Sequence, residues 1–188
     1  MTQIKEIGWK HNSTAQILHW GSVLLVAVAW LLGSFGDYLP KGSIRDVGAF
    51  VHVSAGQLIV VLLLTRLIWR VISPPPPLEI TPLGKWADRS GVVMHFALYA
   101  LLAAVPIAGV VTLFAGGDAL PLFGLGEIPS PWPKDKAFEH DLKEIHETLA
   151  NILVVLVFVH ASAALAHHFY FRDRTLKRML PNAFGAGL

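Results

Sequence analysis

The chain carries nine histidines and no cysteine. Any metal its side chains hold must therefore sit on nitrogen or oxygen. Disulfides, thiolate zinc sites, cysteine-ligated iron–sulfur clusters and a haem attached through C-x-x-C-H are all excluded. The most informative pair lies in the run "EIHETLANILVVLVFVHASAALAHHF", where His146 and His160 stand 14 residues apart in an otherwise apolar segment. At about 100° per residue, that spacing returns the second imidazole to within about 40° of the first, some 21 Å further along a helix. One helical face thus presents two imidazoles at two depths. His52 and Arg66 repeat the 14-residue spacing elsewhere in the chain.

Four apolar stretches must position these groups. They are approximately Ala15–Phe35, Val47–Ile72, Gly91–Ala115 and Leu142–Phe171, each long enough to cross a hydrocarbon layer of about 30 Å as a helix. A hydrophobic content of 54% and a mean hydropathy of +0.55 are too high for an ordinary soluble domain of this size. The fold expected is a single all-α domain over residues 1–188, an integral membrane four-helix bundle. Ser13 with Gln16 and Ser43 with Asp46 fit capping boxes, and Asp141 can cap the fourth helix. The first helix reads as retained, because cleavage after Ala29 at "AVAW" would delete His19.

The proline run of "SPPPPLEITPLGKWADRS" makes the second connection extended and solvated. The third, "GGDALPLFGLGEIPSPWPKDKAFEH", is a long Gly- and Pro-rich loop with freedom to build a surface site. Ten basic residues (Lys5, Lys10, Arg66, Arg70, Lys85, Arg89, Arg172, Arg174, Lys177, Arg178) fall on the side of the termini and the proline loop. Five (Lys41, Arg45, Lys134, Lys136, Lys143) fall on the other. This bias places both termini in the cytoplasm. With the acids counted, the inner segments sum to +6 and the outer ones to −4. Trp9, Trp20, Trp69 and Trp86 fit an inner aromatic belt and Trp132 an outer one. The basic residues edge the apolar runs instead of forming a stripe, which gives nucleic-acid binding no support.

Depth then selects partners. His19 lies shortly after the inner start of the first helix and His52 in the outer part of the second, roughly 15–18 Å apart along the normal of a 30 Å core. His146 therefore pairs with His52 outside, and His160 with His19 inside. Facing imidazoles on two helices are what a b-type haem needs, and with both axial positions filled the iron favours electron transfer over oxygen binding. The alternative for such a constellation is a histidine-lined metal or proton transporter. Gly56, Ala150 and Ala164, each one turn beyond a paired histidine, leave room for a flat ring or simply let helices approach. Arg66 shares the His52 face at the inner level, where it pairs with a haem propionate or snorkels to the surface.

His95, four residues into the third helix, sits near the inner level. It replaces a ligand, donates a proton, binds quinone, contacts a propionate, or only packs. His167 belongs to an interfacial anchor. Pro106 should kink the third helix, and Gly109 can ease packing beside it. "HETLA" lacks the second histidine of the zinc-protease motif, since Ala150 stands there. No Walker loop or G-x-G-x-x-G is present.

"QILHW", "VHVSAG" and above all "HETLANILVVLVFVHASAALAHHF" resemble the bacterial cytochrome b(561) family of small four-helix di-haem proteins, related to the cytochrome b subunits of hydrogenases and formate dehydrogenases. The resemblance spans nearly the whole chain. It implies two haem b groups, the cytoplasmic-side one on His19 and His160 and the periplasmic-side one on His52 and His146. It also implies an inner-membrane electron carrier exchanging electrons with ubiquinone. Within that family superoxide oxidase passes electrons from periplasmic superoxide to ubiquinone. That activity wants an outer surface attractive to an anion, which a local funnel of Lys41, Arg45, Lys134, Lys136 and Lys143 would supply despite the net −4. A membrane anchor for a partner dehydrogenase or a periplasmic redox protein is the other reading within the family.

Overall fold

The structure is a computed structural model that describes residues 10–77 and 84–181. Lys5 and Trp9, and the side chain of Lys85, lie outside the described residues. Four long helices, α1 (Ser13–Phe35), α2 (Ser43–Ile72), α3 (Gly84–Ala115) and α4 (Lys136–Ala166), make up the molecule. α4 runs on through one π-helical turn, His167–Phe171. All four are long and apolar enough to cross a membrane, so the chain is an all-α four-helix membrane protein. Leu24, Val93, Phe96, Val155 and Phe158 are among the many large apolar side chains left exposed. Lipid is the solvent they suit.

The helices begin earlier than the apolar runs do. α4 starts at Lys136 and α3 at Gly84, because polar turns such as "KAFEHDLKEIHE" continue the helix beyond the hydrocarbon layer. An apolar run marks the crossing, not the end of the helix. The caps shift accordingly. Asn12, not Ser13, caps α1 by accepting from Ala15 N at 2.9 Å. Gly42, at φ 97°, precedes α2 with no side-chain cap, and there the left-handed backbone suits glycine. Asp135, not Asp141, caps α4 by accepting from the amides of Ala137 and Phe138. Freed from capping, Gln16 donates to the carbonyls of His11 and Arg178.

α1 packs along α2 and α3 along α4, and the two hairpins meet mainly through α2 and α3. The core is an apolar cluster of Val26, Ile59, Leu63, Leu102 and Leu153. Leu153 lies seven residues from both His146 and His160, Val26 seven from His19, and Ile59 seven from His52. The cluster is thus a plate about 10 Å along each helix from those histidines. Trp30 Nε1 donates to Asn151 Oδ1 at 3.1 Å and ties α1 to α4 across the gap between the hairpins.

The first and last described segments meet at one end of the bundle. His11 N donates to Arg178 O at 3.2 Å, and Trp20 Nε1 to Met179 O at 2.9 Å. At the other end the third connection is more ordered than a free loop. Two short strands, β1 (Leu120–Pro121) and β2 (Glu127–Ile128), pair antiparallel. Gln57 Nε2 then holds Pro121 O at 2.6 Å, which fixes the hairpin against α2.

Candidate functional site

At the loop end, His52 of α2 faces His146 of α4 with ring centroids 6.1 Å apart and planes at 85°. Each ring is fixed by its second nitrogen. The Nδ1 of His52 lies 2.8 Å from Ala29 O, and that of His146 lies 3.0 Å from Val105 O. A carbonyl can only accept, so both rings carry their proton on Nδ1 and keep the Nε2 lone pair for a ligand bond. Gly33 and Gly109 let the rings in this close. A Cβ on Gly33 would stand 2.9 Å from His52 Cε1, and one on Gly109 3.0 Å from His146 Cε1.

At the terminal end, His19 of α1 faces His160 of α4 at 6.4 Å, planes at 67°. His95 of α3 stands closer to His160, at 5.3 Å, and is exposed. Beside this layer opens a cavity of about 270 Å³ whose wall includes His11, Arg66, Trp69, Arg70 and Tyr99. The Arg66 guanidinium rests over the Tyr99 ring, 5.2 Å from its centre. Asn12 braces the wall, accepting from Trp69 Nε1 at 3.0 Å and donating to Ser73 Oγ at 2.7 Å. Burial, and then the charges of Arg178, Arg70 and Arg66, hold His11 below its ordinary pKa, so it is neutral at pH 7.

Both pairs have the dimensions of a bis-imidazole metal site. With metal–nitrogen bonds of about 2 Å and about 1.1 Å from nitrogen to ring centre, two axial imidazoles have centres about 6 Å apart. The 6.1 and 6.4 Å pairs fit that spacing. The 5.3 Å of His95 to His160 is short for it. Both pairs span from α4 to the other hairpin, and α4 makes no extended backbone contact with α1 or α2. A flat macrocycle needs such a gap. Gly56 has no atom within 4 Å of where a Cβ would stand, so it borders open space and does not touch an imidazole. Among the described residues no group of three or more His, Asp or Glu side chains gathers for a metal ion. His52 with His146 and His19 with His160 stand as facing couples, the arrangement a bis-histidine haem would use.

Compared with known sequences, residues 10–182 match the family model described as prokaryotic cytochrome b561. The chain belongs to that family. Cytochrome b561 homolog 2 of Escherichia coli K12 is 41% identical over 91% of this chain and 91% of its own length. Cytochrome b561 homolog 1 of the same organism is 32% identical, over 92% and 97% respectively. A probable superoxide oxidase, CybB, of Yersinia pestis is 33% identical, over 94% and 99%. As a member of the b561 family, this chain is a multi-pass bacterial inner-membrane cytochrome b that carries haem b and transfers electrons.

Other features of this b561-family chain depart from the pattern read in the sequence. Three of the five loop-end cations are engaged locally. Arg45 donates to the carbonyls of Asp37 and Leu39, Lys136 pairs with Glu139, and Lys143 with Glu147. Of these, Lys136 and Lys143 meet carboxylates on their own helix, while Arg45 bonds only neutral carbonyls and keeps its charge. His167 belongs to a tight pair, its Nδ1 2.5 Å from Asp173 Oδ2, with both side chains largely buried. Burial would raise the Asp173 pKa, but hydrogen bonds from His167 and Thr175 outweigh it and hold the carboxyl below its ordinary value. Sequence reasoning missed Gly33, Asn12 and Asp173. Only Asn12 left a trace, as a cap residue one position before a good first turn.

Proposed function

We propose that the chain is one di-haem domain that moves electrons across the membrane from a periplasmic-side donor to ubiquinone, with both termini cytoplasmic. The observation that carries this reading is the pair of stacked imidazole couples, each about as wide as a bis-histidine iron site. His52 and His146 would hold the periplasmic-side haem, His19 and His160 the cytoplasmic-side one. When bound, haem b between two imidazoles supplies a one-electron couple with no open position for a substrate.

The protein's own residues do the rest. Ala29 O and Val105 O fix the tautomer and aim of two ligands. The apolar plate lies between the two layers and lines that space with aliphatic side chains. Arg66 stands at the terminal-side cavity, where it can pair with a propionate carboxylate. That cavity, lined by Tyr99, Trp69 and the cationic residues, suits an aromatic, oxygen-bearing quinone head group. The 5.3 Å between His95 and His160 is shorter than a bis-imidazole couple, and in this reading His95 serves as a proton donor toward quinone instead of as a haem ligand.

Superoxide is the small-molecule donor that this reading names. Two superoxide ions would lose one electron each and leave as dioxygen, while one ubiquinone takes the two electrons and two protons to become ubiquinol. A second reading has a specific observation behind it. The outer segments sum to −4 and Lys136 and Lys143 already meet carboxylates, which favours a cationic redox protein or a dehydrogenase partner as donor.

Purified protein exposed to a superoxide source decides between them. Reduction of the b-type absorption bands that superoxide dismutase abolishes supports the first reading. Bands that stay oxidised under superoxide remove it, and protein lacking b-type bands would refute haem ligation itself.

A further inference from the structure

The two imidazole layers differ in what the second ring nitrogen does. His52 and His146 donate Nδ1–H to Ala29 O and Val105 O at 2.8 and 3.0 Å. Among the described residues, His19 and His160 make no such bond. In both loop-side cases the acceptor is followed one turn later by a glycine against which the ring lies. A Cβ on Gly33 would stand 3.3 Å from His52 Nδ1, and one on Gly109 3.3 Å from His146 Nδ1. Ala29 with Gly33 on α1 and Val105 with Gly109 on α3 are therefore one device built twice, a carbonyl with a clear approach. Any side chain at either glycine would crowd the ring away from its acceptor.

An imidazole that donates its far N–H to a fixed acceptor is a more basic ligand. Extra basicity favours the more positive, ferric iron and lowers the reduction potential. At the terminal end the field runs the other way, because Arg66 lies beside that layer with Arg70 in the same cavity wall. Positive charge nearby favours the less positive ferrous state.

We propose that Gly33 and Gly109 are positioning residues that make the loop-side haem the lower-potential member of the pair, so that electrons run downhill from the loop end to the terminal end. This rests on the di-haem assignment above. In each transfer one electron leaves the loop-side iron, which goes from ferrous to ferric, and reduces the terminal-side iron from ferric to ferrous. No proton moves and no bond is made or broken.

The test is an optical redox titration of the purified, haem-loaded full-length protein. His19→Ala leaves only the loop-side haem and His52→Ala only the terminal-side one. The haem surviving in His19→Ala must titrate at the lower potential, and equal or reversed midpoints overturn the proposal. In the two-haem protein, Gly33→Ala or Gly109→Ala should raise the lower midpoint by about tenfold in the reduction constant, about 59 mV for a one-electron couple. The upper midpoint and the haem content should stay put. Movement of the upper midpoint instead, or no movement at full haem content, overturns it as well. Where a glycine variant sheds the loop-side haem, the order of midpoints in the two single-haem variants decides. Loss of all haem from either histidine variant refutes the di-haem assignment, and the proposal falls with it.

Discussion

His167 and Asp173 show how much one residue pair can do at the end of a membrane helix. Asp173 Oδ2 takes the His167 ring, Asp173 Oδ1 takes Thr175 N at 2.9 Å, and Asp173 N returns to His167 O. The pair closes the π-helical turn just before Arg172, which sits at φ 55°. Asp173→Asn should cost about 1–2 kcal/mol, the range of a charge-assisted bond reduced to a neutral one, read as a lower unfolding temperature in detergent. The pH dependence has a definite sign. Folding holds this carboxyl below its ordinary value of 3.8, so the unfolded chain binds the proton more readily. The stabilisation is therefore complete above about pH 5 and fades as the pH falls through 3.8 and below. A wild-type advantage over the variant that grew on acidification would contradict this. At this scale the 14-residue spacing of His146 and His160 was readable in the sequence, since a helix converts spacing into direction. Gly33 was not, because its role depends on which helix lies across it.

Among the elements, the helices were legible as crossings and much less so as objects with ends. Hydropathy found four spans because lipid demands apolar side chains along each of them. It could not find where α3 and α4 begin, because the solvated turns that extend them carry no apolar signal. The caps were missed for the same reason, with Asn12 and Asp135 standing where the helices truly start. Asn12 also joins elements, because its amide both caps α1 and binds Trp69 and Ser73 at the end of α2. Asn12→Ala should cost about 2–3 kcal/mol, a cap plus two hydrogen bonds to the end of α2. The companion Ser13→Ala should be nearly silent. Equal losses in the two variants would return the cap to Ser13. The β1–β2 hairpin escaped notice since its strands are two residues each, too short for any alternation to show.

For the whole molecule, the basic residues argue for cytoplasmic termini, and the absence of native cysteine makes the point easy to check. A cysteine at Leu125, 92% exposed at the loop tip, should react with a membrane-impermeant maleimide on intact spheroplasts. One at Arg174 should react only after lysis, and the opposite pattern would invert the molecule. The membrane bundle itself was foreseeable from composition, while the local use of the loop-end cations was not, since net charge does not tell which lysine already has a partner. The plate formed by Val26, Ile59, Leu63, Leu102 and Leu153 has one more result for the proposed path. Its five aliphatic side chains offer no ionisable group to relay a proton, yet an electron can tunnel past them. Each inward electron therefore crosses as naked charge and leaves the cell interior more negative. Against every 100 mV already standing, that passage costs about 2.3 kcal/mol, so turnover would charge the membrane like a capacitor until the donor can push no harder.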